Sequence, residues 1–144
     1  MTVNCAQKRW LFILWKSFTN LQNSNSKTFI LSKKAINIVW FKRDFRFTDH
    51  EPLFVAQREN IPTLLLYVFE PSVMAYDDAD TRHWRFIHES IMEMNSKLKA
   101  NNTELFFFHQ EVEPIFELLV ENYDIKTVFS HQEIGNQLTF DRDI

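Results

Sequence analysis

A chain of 144 residues with 45% hydrophobic and 24% charged residues has the composition of one globular domain, not of a disordered protein. The single glycine excludes the glycine-rich loops that bind dinucleotides or nucleoside triphosphates, and the single cysteine excludes an internal disulfide and a cysteine-based zinc site. No apolar run reaches the roughly 18 residues that span a bilayer, so we expect no membrane partner.

The net charge of −3 conceals two unlike segments. Residues 1–35 carry six basic residues and no acidic one, whereas residues 36–144 carry all 19 acidic residues and a net charge of −9. We therefore expect a basic, poorly ordered extension followed by a folded domain over 36–144. Basic composition with Asn and Ser is also typical of an organelle transit peptide, and a short apolar run weakly resembles a secretory signal. The expected location is cytoplasmic, or an organelle if the extension is a targeting peptide.

Four short apolar runs, rich in β-branched and aromatic residues, predict β-strands. They cover residues 36–41, 63–69, 105–109 and 126–130. Unbroken apolar runs are typical of strands whose two faces are both covered, as in a parallel sheet. The sequence therefore predicts strands in the interior of a layered α/β fold.

Helical patterns lie between these strands. The clearest is an apolar stripe with helical spacing, formed by Trp84, Ile87, Ile91, Met94 and Leu98. Asp80 or Thr81 is its candidate N-cap, and Asn101 is where it ends. A second helix is predicted over 114–121, and a shorter one begins near Asp49. Strands that alternate with helices predict a doubly wound parallel sheet, in which Asn and Asp supply the turn conformations that glycine usually provides.

The loop after the first strand is the strongest candidate site. Within residues 42–49 it holds three basic and two acidic residues, and open α/β sheets bind ligands beyond the carboxyl ends of their strands. Lys42, Arg43, Asp44 and Arg46 are therefore candidate ligand-binding residues. The alternative is that an ion pair, Asp44 with Arg46 or Asp49 with Arg43, merely fixes the loop.

The loop after the fourth strand contains the only glycine, Gly135, which indicates a special backbone conformation or a close approach. Glu133 in this loop could accept hydrogen bonds from a heterocycle, and the alternative is an exposed loop acid.

The five histidines do not predict a metal site. His83 and His88 diverge on one helix by about 500° of rotation. The other three follow different elements and have no spacing that indicates shared ligation (His50, His109 and His131). We expect no metal, and we find no nucleophile–base pair that predicts a catalytic centre.

Four motifs in sequence order resemble the photolyase/cryptochrome family. Residues 39–53 resemble the family's opening signature, a strand that ends in Trp-Phe-Arg and is followed by Asp-Leu-Arg, Asp-Asn and a leucine. Residues 65–71 are similar to the second strand of the family, and residues 82–90 to its second helix. Residues 130–143 are similar to the fourth strand and the Arg-Asp pair after it. The resemblance runs from about Ile36 to Ile144.

The chain also departs from the family pattern. Lys42 replaces the usual Arg, Phe45 the usual Leu and His50 the usual Asn. Folate-binding members have a histidine before the second helix, and the matching place is around Asp77. The resemblance implies a Rossmann-like sheet in the order 3-2-1-4, with a fifth strand beyond residue 144.

The resemblance further implies the N-terminal domain that binds a light-harvesting (antenna) chromophore in a DNA photolyase or cryptochrome. Such proteins bind FAD in a longer helical domain, and they repair pyrimidine lesions in damaged DNA or sense blue light. We expect this chain to be a fragment without the flavin domain, and therefore an inactive part of a deoxyribodipyrimidine photolyase. DNA binding by the fragment is not expected, because residues 36–144 are acidic. The alternatives are a free-standing nucleotide-binding-like module without catalytic activity and an interaction domain without a ligand.

Overall fold

The structure, a computed structural model, describes residues 32–77 and 79–132. Its centre is a sheet of four strands, β1 (Lys34–Phe41), β2 (Thr63–Phe69), β3 (Leu105–His109) and β4 (Tyr123–Phe129). All neighbouring strands are parallel and their order is β3-β2-β1-β4. The predicted α/β class and strand order are therefore confirmed. The basic segment before residue 32, Glu133 and the expected fifth strand lie outside the described residues.

The bounds of β2 and β3 agree with the sequence prediction, but β1 and β4 both begin earlier. Lys34 and Ala35 pair with Tyr123 and Asp124, so the two strands extend each other by backbone hydrogen bonding. Strand β1 consequently begins two residues before its predicted start at residue 36. Polar residues at the start of β4 hid this part of the strand from a search for apolar runs.

Four helices are described: α1 (Glu51–Arg58), α2 (Pro71–Met74), α3 (Thr81–Leu98) and α4 (Val112–Asn122). Asp80 caps α3, since its side chain accepts a hydrogen bond from the backbone N–H of Arg82, and this confirms one predicted N-cap. A 3₁₀ turn over Lys99–Asn101 ends that helix. The four-residue helix α2 was not predicted. None of the described helices is long and apolar enough to cross a bilayer.

Turns with left-handed backbone conformation use Asp and Asn in place of glycine. Asp49, Asn60 and Asn102 have φ values of 53°, 53° and 52°. These residue types tolerate positive φ better than other residues with a β-carbon. The expectation that Asn and Asp supply the turn conformations is thus confirmed for the described part of the chain.

Two apolar layers cover the sheet, as the unbroken apolar strands predicted. Alternate residues of β1 and β2 face opposite layers because side chains alternate along a strand. One face packs against α1 and α3 and includes Val39, Phe41, Leu65, Tyr67, Phe69, Ile87, Ile91 and Met94. The other face packs against α4 and includes Ile36, Ile38, Leu66, Val68, Ile115 and Leu119. This arrangement fixes the carboxyl ends of β1, β2 and β4 at one edge.

The junction between α4 and β4 contains no loop residue. The helix ends at Asn122 and the strand begins at Tyr123, whose backbone is already extended at φ −130° and ψ 155°. The Asn122 side chain donates a hydrogen bond to the carbonyl of Leu118 at 2.7 Å, and Lys33 Nζ donates one to the carbonyl of Val120 at 2.7 Å. These side chains satisfy terminal carbonyls that a glycine-based cap would otherwise cover.

Candidate functional site

A cleft opens at the carboxyl ends of β1 and β2, beside the first turns of α3. Its walls include Trp40, Lys42, Arg43, Tyr67, Glu70 and Trp84. The space between the walls is about 430 Å³ with the open mouth included, but the room for water-sized molecules is only about 40 Å³. The cleft is therefore narrow and aromatic, and its walls carry two cationic side chains and the acidic side chain of Glu70.

Two of the residues proposed from the sequence, Lys42 and Arg43, line this cleft. Lys42 is buried, and its Nζ lies 4.8 Å from the centre of the Trp40 ring, within cation–π distance. Arg43, the next residue, is exposed. The loop after β1 thus places one buried and one exposed positive charge at the cleft.

Asp44 contributes to a second arrangement, which we call the Asp44 cluster: Asp44, His50 and His131. The Asp44 Oδ2 atom lies 2.7 Å from His50 Nε2 and also contacts His131 Nδ1. The other carboxylate oxygen, Oδ1, accepts a hydrogen bond from the backbone N–H of Lys42 at 3.3 Å. The cluster therefore joins the loop after β1, the N-cap of α1 and the segment after β4.

The position of the proton on His50 follows from its contacts. His50 Nδ1 accepts a hydrogen bond from the backbone N–H of Leu53 at 3.2 Å, as the N-cap of α1. Because a neutral imidazole carries a proton on one nitrogen, that proton is on Nε2, the nitrogen beside Asp44. The Nε2–H bond is not well aligned with the carboxylate, although the distance is short.

The Asp44 carboxylate is held in its charged form. Burial alone would raise the pKa of Asp44, but the contacts with His50 and His131 outweigh burial and place that pKa well below its ordinary value. The side chain of Asp44 is 14% exposed and that of His50 only 1%, whereas His131 is 32% exposed. A charged carboxylate therefore lies between a buried and a partly exposed imidazole.

The donor set of the Asp44 cluster is one that zinc accepts, since two imidazole nitrogens and one carboxylate oxygen lie within 4.8 Å of one another. Ligation would need the lone pair of His50 Nε2, and the contact between Nδ1 and Leu53 assigns the proton to that nitrogen. In this form the three residues make a hydrogen-bonded cluster. The absence of a metal site stays a prediction.

The convergence of His50 and His131 is a finding that the sequence analysis did not anticipate. Parallel strands end at one edge, and β1 is adjacent to β4, so the loops that follow them meet. The strand order expected from the family resemblance could have indicated this convergence, because it placed the first and fourth strands side by side.

The remaining candidate residues have different positions. Arg46 Nε donates a hydrogen bond to the backbone carbonyl of Asp49 at 3.0 Å, and the Arg46 side chain is exposed. The side chains that contact the Asp44 carboxylate are those of His50 and His131, and these contacts take the place of the ion pair considered between Asp44 and Arg46. Glu133 lies outside the described residues, and its role stays a prediction.

Comparison with known proteins gives a consistent result. The DNA photolyase family model matches residues 37–141. The Cryptochrome DASH of Gloeobacter violaceus is 28% identical over 120 residues, which cover 79% of this chain and 24% of that protein. An Arabidopsis thaliana relative, "Cryptochrome DASH, chloroplastic/mitochondrial", is 22% identical over 124 residues, which cover 82% of this chain and 22% of the relative.

A solved structure shares the fold. The cryptochrome of Synechocystis superposes with a TM-score of 0.65 at 20% identity, and the match covers 79% of this chain and 25% of that one. This chain therefore spans about a quarter of the length of the curated relatives that it matches. Because the family model covers most of its residues, the chain belongs to the DNA photolyase family, through the family's N-terminal α/β domain.

Proposed function

We propose that this chain is the light-harvesting domain of a DNA photolyase or cryptochrome, the domain that holds an antenna chromophore. The observation that carries this proposal is the cleft at the carboxyl ends of β1 and β2, the edge at which open α/β sheets bind ligands. Family membership supports the same assignment. A bound chromophore would absorb light and transfer the excitation to a flavin.

The cleft residues fit a planar aromatic group that carries negative charge. Trp40, Tyr67 and Trp84 supply aromatic surface, and Lys42 and Arg43 supply positive charge. Ligand pockets usually measure about 300 Å³ or more, and the room of about 40 Å³ inside this cleft does not enclose a ring system. The chromophore would therefore occupy the open mouth, with part of its surface exposed.

The chain would act as part of a longer protein. FAD binding and light-driven repair of pyrimidine lesions, or blue-light sensing, are properties of the full-length family, and we expect no repair by this chain alone. The net charge of −9 over residues 36–144 opposes contact with DNA phosphates, so other parts of the parent would bind damaged DNA. The expected location is the cytoplasm, or an organelle as the name of the Arabidopsis relative suggests.

Chromophore titration tests the proposal. The purified chain is titrated separately with a reduced folate, a deazaflavin and flavin mononucleotide, and tryptophan fluorescence is recorded because Trp40 and Trp84 line the cleft. We expect one of these compounds to quench the fluorescence and to acquire a shifted absorption band. Lys42→Met should reduce the affinity for that compound about tenfold, equivalent to about 1.4 kcal/mol of binding free energy.

Lys97→Met is the matched control, since Lys97 is exposed near the C-terminal end of α3 and pairs with Glu93. It should bind the chromophore like the wild type. Saturable binding of adenine nucleotides, with none of the three chromophores bound, would favour the free-standing nucleotide-binding module instead. Equal loss of affinity in the two lysine variants would show that the cleft is not the binding site.

A further inference from the structure

The Asp44 cluster lies beside the cleft and is joined to it through Lys42. None of the three residues of the cluster lines the cleft. Asp44 Oδ1, however, accepts the backbone N–H of Lys42 at 3.3 Å, and Lys42 forms part of the cleft wall. The carboxylate therefore contacts the backbone of a cleft residue through one oxygen and the two histidines of the cluster through the other.

The end of β1 is supported differently on its two sides. Towards β2, the backbone pairing continues to Phe41, the last residue of the strand, which pairs with Tyr67. Towards β4, the pairing ends two residues earlier, at Val39 and Phe129. Because His131 follows Phe129 by two residues, as Phe41 follows Val39, this histidine comes level with the end of β1. A side-chain contact thus continues the link between the two strands beyond their last backbone pair.

The hydrogen bond between His131 and Asp44 runs from the ring to the carboxylate. A carboxylate only accepts hydrogen bonds, and the Asp44 carboxylate is held in its charged form, so His131 Nδ1 is the donor. Hydrogen bonds to a charged acceptor are roughly twice as strong as neutral ones. Asp44 is also fixed through its backbone, because its carbonyl accepts the N–H of Arg46 at 2.7 Å. His131 therefore holds a carboxylate whose own backbone is already constrained.

Lys42 is held at both of its ends. Its Nζ lies 4.8 Å from the centre of the Trp40 ring, and that ring packs edge-on against Phe116 of α4, with 5.7 Å between the ring centroids. Its backbone N–H is held by Asp44. Release of the backbone would therefore allow the ammonium group to shift relative to the aromatic wall of the cleft.

We propose that His131 is a positioning residue for the cleft: acting through Asp44, it fixes the backbone of Lys42 and thereby places the Lys42 ammonium for an anionic ligand. This inference rests on the proposed function, because the ligand is the negatively charged chromophore proposed for the cleft. His50 supports the same carboxylate from the α1 side. The segment after β4 thus contributes to affinity without contacting the ligand.

Hydrogen exchange of the full chain without a ligand tests the positioning by itself. His131→Ala removes the donor, His131→Asn keeps an N–H near the place of Nδ1, and His109→Ala is the matched control, exposed at the end of β3, the opposite edge strand of the described sheet. His131→Ala should speed the exchange of the Lys42 amide about tenfold, and that of the buried Leu66 amide by less. His131→Asn and His109→Ala should exchange like the wild type.

Chromophore binding tests the consequence for affinity. The variants are titrated with the reduced folate, the deazaflavin and flavin mononucleotide. His131→Ala should bind the compound that the wild type binds about fivefold more weakly, because apparent affinity falls with the fraction of chains in which Lys42 is in place. His131→Asn should restore the affinity. In the Lys42→Met background His131→Ala should cause no further loss, since both changes act through one side chain.

Three results would overturn the proposal. Equal acceleration of the Lys42 and Leu66 amides in His131→Ala would show a general loss of stability, unchanged exchange at Lys42 would show no positioning, and a further loss of affinity in the Lys42→Met background would show an independent effect. If His131→Ala does not fold, His131→Gln, whose longer side chain displaces the donor, gives the same test. Failure of all three compounds to bind the wild type would contradict the proposed function alone, and exchange at Lys42 would then support or overturn the positioning by itself.

Discussion

Replacement of Asp44 by Asn tests how much the Asp44 cluster contributes to the fold. The carboxylate contacts His50 and His131 through Oδ2 and accepts the Lys42 N–H through Oδ1. An Asn side chain has one acceptor oxygen in place of the two carboxylate oxygens. Its NH₂ group would therefore face an N–H donor at one of these contacts. The variant therefore loses at least one hydrogen bond to a charged group, worth about 1.5–3 kcal/mol.

For a domain of this size, that loss lowers the unfolding midpoint by roughly 10 °C. Urea unfolding at neutral pH, monitored by tryptophan fluorescence, measures the free energy directly. Asp49→Asn is the matched control: it removes a charge from the same loop, Asn tolerates its φ of 53°, and its backbone carbonyl still accepts Arg46 Nε. We expect the control to change stability by less than about 0.5 kcal/mol.

The pH dependence provides a second measurement. The pKa of Asp44 in the folded protein is lower than its ordinary value. As the pH falls, Asp44 is therefore protonated at a higher pH in the unfolded chain than in the folded one. The stabilisation from Asp44 is present above about pH 4 and is lost progressively below it. Asp44→Asn should flatten that part of the stability profile, whereas Asp49→Asn should not. Equal losses in the two variants at neutral pH would refute the role assigned to the cluster.

Two further predictions concern the framework that positions the site. Ile91→Ala should cost about 2–5 kcal/mol in urea unfolding because Ile91 is fully buried between α3 and the sheet, whereas Met92→Ala, at a position 52% exposed, should cost less than about 0.5 kcal/mol. Similar costs would mean that α3 does not pack on the sheet through this face. Asn102→Gly should be tolerated and Asn102→Val should destabilise by about 1–2 kcal/mol, since φ at this residue is 52°; no difference in thermal midpoint between them would contradict the left-handed turn.

Much of the fold could be predicted because its main signals are local. The apolar runs identified β2 and β3 to the residue, and the stripe that contains Ile87 and Ile91 identified α3. The start of β4, residues 123–125, was missed because Asp124 interrupts the apolar pattern, and the strand is extended there by pairing with β1. Helix α2 was missed because its four residues form little more than one helical turn, which is too short to show a repeated apolar pattern.

The site was predicted only in part, for a physical reason. Lys42 and Arg43 follow β1 directly. They can therefore be identified from the sequence alone, because ligands bind at the carboxyl ends of the strands in open α/β sheets. The partners of Asp44 are different, because they depend on which strands are adjacent and on how the loops turn. His50 also acts as an N-cap, a role that the sequence analysis had not assigned to a residue of α1.

The direct junction of α4 and β4 has a mechanical consequence. A loop between a helix and a strand normally absorbs small rotations of one element against the other, and here Asn122 is followed at once by the extended Tyr123. Any shift of α4 along its axis must therefore be transmitted to β4. His131 follows the C-terminal end of β4. A displacement of α4 would therefore change the position of His131 relative to the Asp44 carboxylate that it contacts.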